Sequence, residues 1–296
     1  HEGLKIPWSA RAVRVQVPPR ALMAGFRTRI APTPSGYLHA GNALDFLLAH
    51  TLARESGGTV LLRIDDLDAG RARPAYVQDI FDSLHWLGIA WDEGPRDPVD
   101  FSSNWSQAGR LEPAHEMLWQ LREMGALFAC TCSRKQLTTC ACRDAGLPFD
   151  VADTVWRLRV PRPCPVSIKG LFSGTVAVDL GNEMPDPVLR QRNGLPSYQL
   201  VSLADDLRFG IDTIVRGADL LPSTACQLHM AGLLGAGGFL NARFLHHPLL
   251  TDERGRKLSK SEGASSLRSM RMAGASSATL QREAAEMLAR LRAQGL

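Results

Sequence analysis

The sequence lacks both glycine-rich phosphate motifs of the common nucleotide folds. No G-x-G-x-x-G follows a strand and no G-x-x-x-x-G-K-[ST] occurs, so a dinucleotide fingerprint and a P-loop are excluded. Long apolar runs are missing too. Met230 to Leu234 and Leu249-Leu250 fall far short of the roughly 20 residues that span a bilayer, so no membrane segment is predicted and a soluble, cytoplasmic protein is expected. Little charge is left over: a net +4 mildly favours a polyanionic partner and is too small to identify one. Cysteine is scarce at six residues, and without a secretory signal a disulfide framework is not expected. With 45% hydrophobic and 22% charged residues, no disorder class fits, and 296 residues suffice for a large core with one inserted module.

What is present reads as an alternating α/β chain. Residues 1–26 carry Arg11, Arg14, Arg20 and several prolines without apolar periodicity, so they are expected to lie outside the fold, with the natural start near Met23; the alternative is an arginine-rich arm that touches RNA. Arg27 to Ile30 is predicted as a strand that ends before Pro32 and Pro34. Leu44, Leu47, Leu48 and Leu52 share one helical face, and Gly57-Gly58 terminates it. Thr59 to Ile64 is apolar without alternation, as in a strand buried on both faces. Further helices are predicted around Val77, Ile80, Phe81, Leu84 and Leu87, and around Leu111, Ala114, Leu118 and Leu121, each stopped by glycine. Strands are predicted at Val155 to Val160, Thr175 to Leu180 and Thr213 to Arg216, and the alternation implies a mainly parallel sheet.

In such a sheet a ligand lies beyond the carboxyl ends of the strands, where the loop Ala31 to Leu38 leaves the first strand. That loop feeds a helix whose first turn holds Gly41 and Asn42 behind His39. Free N–H groups, a glycine and a donor imidazole at a helix start suit the phosphates of ATP. A second polar loop, Lys257-Leu258-Ser259-Lys260-Ser261, lies between Gly255 and Gly263 and offers mobile positive charge. Four cysteines form Cys130-Thr131-Cys132 and Cys140-Ala141-Cys142, a spacing that suits a structural zinc site or leaves reduced thiols in a loop. Cys164 and Cys226 read as ordinary thiols, and the adjacent His246 and His247 as packing or pocket lining rather than a metal pair.

Together, Arg29 to Gly36 with His39-Ala40-Gly41-Asn42 resemble the first signature of class I aminoacyl-tRNA synthetases in their glutamate-specific form, and Lys257 to Ser261 resembles the second. Arg63 to Asp68, Leu195 to Leu200, Asp205-Asp206 and Ile214 to Leu220 look like segments of the same family in the same order. The resemblance implies a Rossmann-like α/β catalytic domain. On this reading it is divided into halves at 27–128 and 166–245 around a zinc-binding insertion at 129–165, with the lysine loop and a helical stem at 246–296. Only residues 262–296 follow the lysine loop, where a full glutamyl-tRNA synthetase carries a large anticodon-binding region. The chain is therefore similar to the short members of the family, which attach glutamate to queuosine, the modified wobble base of tRNA(Asp).

The implied chemistry is formation of glutamyl-adenylate from glutamate and ATP with Mg²⁺, then transfer of the glutamyl group. The implied catalytic residues are His39, Lys257 and Lys260, with Gly41 and Asn42 completing the ATP site. Arg29, Thr33, Asp65, Tyr198 and Arg216 are the implied glutamate ligands, and Cys130, Cys132, Cys140 and Cys142 the implied zinc ligands. The sequence departs from the family at Asn42, where a second histidine is usual, at Asp65, where glutamate is usual, and in the shorter, tyrosine-free loop between the cysteine pairs. A monomer acting on tRNA(Asp) is expected. The alternatives are a compact enzyme charging the 3′ end of tRNA(Glu), glutamate transfer to another acceptor, or an inactive RNA-binding relic.

Overall fold

The computed structural model describes residues 25–68, 70–132, 136, 140–249 and 266–295. Strand β1 (Arg27–Ile30), helix α1 (Ala40–Ser56) and strand β2 (Thr59–Leu62) form a βαβ unit, the strands parallel from Arg27↔Thr59 to Ile30↔Leu62. Leu44, Leu47, Leu48 and Leu52 of α1 are buried, as their spacing predicts. The helix stops at Gly57, whose φ of 66° is left-handed, and a Cβ on Gly58 would collide with the Phe26 carbonyl oxygen. Helices α2 (Pro74–Trp86), α3 (Pro98–Asp100) and α4 (Glu112–Glu123) follow. Val77, Ile80, Phe81 and Leu84 of α2 and Ala114, Leu118 and Leu121 of α4 face inward.

The next strands depart from the parallel expectation. β3 (Leu127–Cys130), β4 (Val155–Leu158) and β7 (Val188–Arg190) form one antiparallel sheet, and β5 (Pro165–Lys169) and β6 (Thr175–Asp179) an antiparallel hairpin. A parallel return needs a long crossover, usually a helix. Among the described residues between β3 and β7 the one α-helix is the single turn α5 (Leu180–Glu183), too short for that purpose. The predicted mainly parallel sheet therefore holds for the flanking strands and not for these five.

Parallel order resumes after helix α6 (Tyr198–Arg208). β8 (Thr213–Gly217) and β9 (Arg243–His247) are parallel and are joined by helices α7 (Leu221–Leu233) and α8 (Gly237–Leu240). β8 lies beside β1: Asp212 N donates to Arg27 O at 3.1 Å, and the Asp212 carboxylate accepts from Arg27 N at 2.9 Å. Successive strand residues feed opposite faces. Val60, Leu62, Val215 and Leu245 join the core under α1 and α2, whereas Leu61, Ile214 and Phe244 join the core under α4, α6 and α7. The sheet is thus the middle layer of three, and the carboxyl ends of β1, β2 and β8 point the same way.

After α9 (Leu267–Met272), helix α10 (Ala278–Gln294) turns Leu280, Ala284, Leu288 and Leu291 onto α1, with Met287 half-buried on the same side. Gln281 Nε2 donates to Leu87 O at 3.0 Å and Arg292 pairs with Glu55. Helix α10 is therefore part of the same hydrophobic core as α1. Leu288→Ala is expected to lower stability by about 2–5 kcal/mol, read as a lower urea midpoint; an unchanged midpoint would mean that α10 rests loosely on α1.

Candidate active site

The loop after β1 delivers His39 to the start of α1 as its N-cap, and Asn42 Oδ1 accepts from His39 N at 3.1 Å. Asn42 thus closes the reciprocal half of a capping box. A Cβ on Gly41 would stand 3.1 Å from His39 Cε1, so the imidazole lies against the bare backbone of the first turn. His39, Gly41 and Asn42 are together at the positive end of a 17-residue helix. Lys257 and Lys260 lie outside the described residues.

At the carboxyl ends of β1, β2 and β8 the chain buries a group of ions. Asp206 of α6 is fully buried; its Oδ1 accepts from Arg63 Nη1 at 2.7 Å and from Arg29 Nε at 3.2 Å, and its Oδ2 lies 3.7 Å from Arg216 Nη2. Arg63 also forks onto Asp65, Nε to Oδ1 at 2.7 Å and Nη2 to Oδ2 at 2.9 Å. Asp205 accepts from Arg110 Nε at 2.9 Å and from Gln107 Nε2 at 2.8 Å. Burial would raise the Asp206 carboxyl, but Arg63, Arg29 and Arg216 outweigh it and hold Asp206 below the usual range. For Asp65 burial wins over Arg63, and the carboxyl is raised.

Among the described residues the group contains four guanidiniums, Arg29, Arg63, Arg110 and Arg216, and three carboxylates, Asp65, Asp205 and Asp206, which leaves one positive charge over. The imbalance sits at Arg216. Its Nη1 donates to Gln227 Oε1 at 2.6 Å and Thr224 Oγ1 at 3.1 Å, while Nε and Nη2 have no hydrogen-bond partner among the described residues. Burial pulls this guanidinium below its ordinary value, Tyr198 opposes the fall and Arg29 adds to it. A buried N–H edge without an acceptor is costly, and an anionic ligand relieves the cost.

Beside the ions lies a cavity of about 350 Å³, lined among others by Thr33, Asp65, Gln107, Asn193, Tyr198 and Ser202. The structure thus brings Thr33, Asp65 and Tyr198 around one space. Arg29 and Arg216 do not line it, nor do His39, Gly41 and Asn42. His246 and His247 of β9 face opposite ways: His246 Nε2 is 2.9 Å from Thr224 Oγ1, and His247 Nε2 is 3.4 Å from Asp45. Burial, with Arg216 and His247, pushes the His246 imidazole down to about 3, so it stays neutral beside Arg216. Arg63, Asp206, Gln107 and Arg110 were not singled out as site residues from sequence. Two adjacent acids among Leu200, Leu203 and Leu207 were a usable signal for Asp206; nothing comparable marks Gln107 or Arg110.

The four clustered cysteines converge at the end of β3. Their sulfurs all lie within 4.8 Å of one another, with Cys130 and Cys140 3.7 Å apart and Cys132 and Cys142 3.6 Å apart. Tetrahedral zinc with bonds of about 2.3 Å places thiolates about 3.8 Å apart, so the cluster fits a four-thiolate metal site. A hydrogen bond from the Thr131 backbone leads the effects that pull the Cys142 thiol down to about 7. Cys164 and Cys226 lie apart from this group, both buried.

The family model for class I tRNA synthetases (E and Q), catalytic domain, matches residues 25–146 and 148–289. Three glutamyl-Q tRNA(Asp) synthetases are similar over most of their length. That of Nitratidesulfovibrio vulgaris is 37% identical across 86% of this chain and 83% of its own, that of Synechococcus sp. CC9605 39% across 88% and 83%, and that of Pseudomonas paraeruginosa 40% across 79% and 76%. Among solved structures, glutamate-tRNA synthetase from Elizabethkingia anophelis has the same fold, with a TM-score of 0.67 at 24% identity over 81% of this chain. The chain spans about half the length of that enzyme, 53%. With both halves of the sheet inside the matched residues, the chain belongs to the class I tRNA synthetases of the E and Q catalytic type and, within these ligases, to the glutamyl-Q tRNA(Asp) synthetase family.

Proposed function

We propose that this chain activates glutamate with ATP and transfers the glutamyl group to a hydroxyl on the cyclopentenediol ring of queuosine at the wobble position of tRNA(Asp). The observation that carries the glutamate reading is the buried edge of Arg216, which has no hydrogen bond among the described residues and only a 3.7 Å ion pair to Asp206, in a cluster with one surplus positive charge. Arg216 lies outside the lining of the cavity, so on this reading a substrate carboxylate extends past that lining to accept from Nε and Nη2 in a charge-assisted fork. Arg29, tied to Asp206 and to Val215 O at 3.3 Å, adds positive potential beneath it. Asp65 takes the α-ammonium at the cavity wall, and the Thr33 and Tyr198 hydroxyls complete the ring of ligands.

In the first step an oxygen of the glutamate α-carboxylate bonds to the α-phosphorus of ATP, the bond to the bridging oxygen breaks and pyrophosphate leaves. In the second a queuosine hydroxyl oxygen bonds to the activated carbonyl carbon, loses its proton and displaces AMP. His39 at the α1 N-terminus, with Gly41 and Asn42, meets the phosphates, and Lys257 and Lys260, assigned from sequence, offset charge on the departing pyrophosphate. Mg²⁺ accompanies ATP and shares in that neutralisation.

The acceptor is tested with radiolabelled glutamate and purified tRNA(Asp) with queuosine, tRNA(Asp) without it, and tRNA(Glu). Label confined to the queuosine-bearing tRNA is the expected result. Label on tRNA(Glu) would make the chain a compact synthetase for the 3′ end, and label on neither would move the search to another acceptor.

We further assign one zinc ion to Cys130, Cys132, Cys140 and Cys142, where it ties the loop beyond β3 to that strand. Metal analysis is expected to return about one zinc per chain, falling in Cys140→Ser together with the melting temperature. Metal-free protein with an unaltered melt would leave the cysteines as plain thiols.

A further inference from the structure

The stretch Asp65-Asp66-Leu67, of which Asp65 and Leu67 line the cavity, is gripped by Gln107, a lining residue from a distant element. Gln107 begins a 3-10 turn (Gln107–Arg110) and is 2% exposed. Its Nε2 donates to Asp65 Oδ1 at 3.2 Å and to Asp205 Oδ2 at 2.8 Å, and its Oε1 accepts from Leu67 N at 3.1 Å. Its backbone N donates in turn to Asp66 Oδ1 at 2.7 Å, while Ser106 Oγ donates to Asp66 Oδ2 at 2.6 Å. Three consecutive residues therefore bond to the same glutamine. Asp66 fixes Gln107, and Gln107 fixes the residues on either side of Asp66.

The chemistry of this position selects an amide. It must present two N–H hydrogens to two carboxylates and an acceptor to a backbone N–H, which a glutamine side chain does. A carboxylate would set like charges against Asp65 and Asp205, and an apolar side chain would leave a buried N–H and two carboxylates short of a partner. Arg63 holds both oxygens of Asp65 from one side and Gln107 holds Oδ1 from another, so the plane of the carboxylate is fixed.

We propose that Gln107 is a positioning residue for the amino-acid substrate: it orients the Asp65 carboxylate toward the cavity and fixes the Asp65–Leu67 wall. The inference rests on the reading that glutamate occupies this cavity. ATP is held at the start of α1, a separate element, so removal of the Gln107 amide affects amino-acid binding and spares nucleotide binding. A purely structural role would move both.

The test is glutamate-dependent pyrophosphate exchange, run with unfractionated tRNA present and with glutamate and ATP varied in turn. It compares wild-type protein with Gln107→Met and the milder Asp66→Asn, each checked by thermal melt. Gln107→Met is expected to raise the KM for glutamate about tenfold or more, the worth of lost hydrogen bonds to charged groups, with the KM for ATP and kcat within about twofold. Asp66→Asn is expected to raise the same constant by less. An unchanged glutamate KM in folded variants, or equal rises for both substrates, would overturn the inference while leaving glutamate activation intact. Absence of exchange in the wild type would remove the glutamate reading and this inference together. If Gln107→Met does not fold, the comparison for Asp66→Asn decides.

Discussion

One fully buried carboxylate holds three parts of the sheet to one helix. Asp206 enters from α6 and meets Arg29 from β1, Arg63 from just beyond β2 and, at longer range, Arg216 from β8. Desolvating such charges is expensive, and removing one partner of a buried pair typically costs about 3–5 kcal/mol. The arrangement is tolerable because Arg63 is shared between Asp65 and Asp206 and because backbone and hydroxyl groups of Ser202 and Val215 take further N–H bonds. Its value is geometric: the ends of β1, β2 and β8 are locked in register beside the cavity.

The charge around that lock is unevenly balanced. Among the described residues three carboxylates face four guanidiniums, and the remainder lies at Arg216, whose Nε and Nη2 are buried without a hydrogen bond there, Nη2 standing 3.7 Å from Asp206. On the proposed reading, a neutral amino acid leaves the edge short, whereas an acidic one supplies the missing charge and the missing lone pairs. The raised Asp65 and the depressed Asp206 reflect the same division of labour: the first faces the cavity with Arg63 as its cation, and the second is encircled by cations. Gln107 joins the cavity wall to Asp205 and so to Arg110, extending the ion network into the turn at Gln107–Arg110.

Much of the fold was legible because it follows periodicity and glycine chemistry. The leucines of α1 and the stop at Gly57 are local patterns, and the structure buries the leucines as spaced and ends the helix at that glycine. The candidate site was legible where it is a linear motif, as with His39 to Asn42 and the residues now around the cavity, Thr33, Asp65 and Tyr198. Strand direction between Leu127 and Arg190 was not, since it depends on which partner each short strand finds rather than on its own composition. The ion network was missed for a related reason. Gln107 and Arg110 look like ordinary surface residues in sequence, and their roles arise from bonds to residues about 40 to 100 positions away.

The most direct measurement of the central claim, that a surplus buried cation selects an acidic substrate, is calorimetric titration of wild-type protein and Arg216→Gln with glutamate and with glutamine. The account predicts that the wild type binds glutamate roughly ten- to a hundredfold more tightly than glutamine, the worth of one charge-assisted fork, and that Arg216→Gln loses the preference. Equal affinities in the wild type, or a preference that survives in Arg216→Gln, would contradict it.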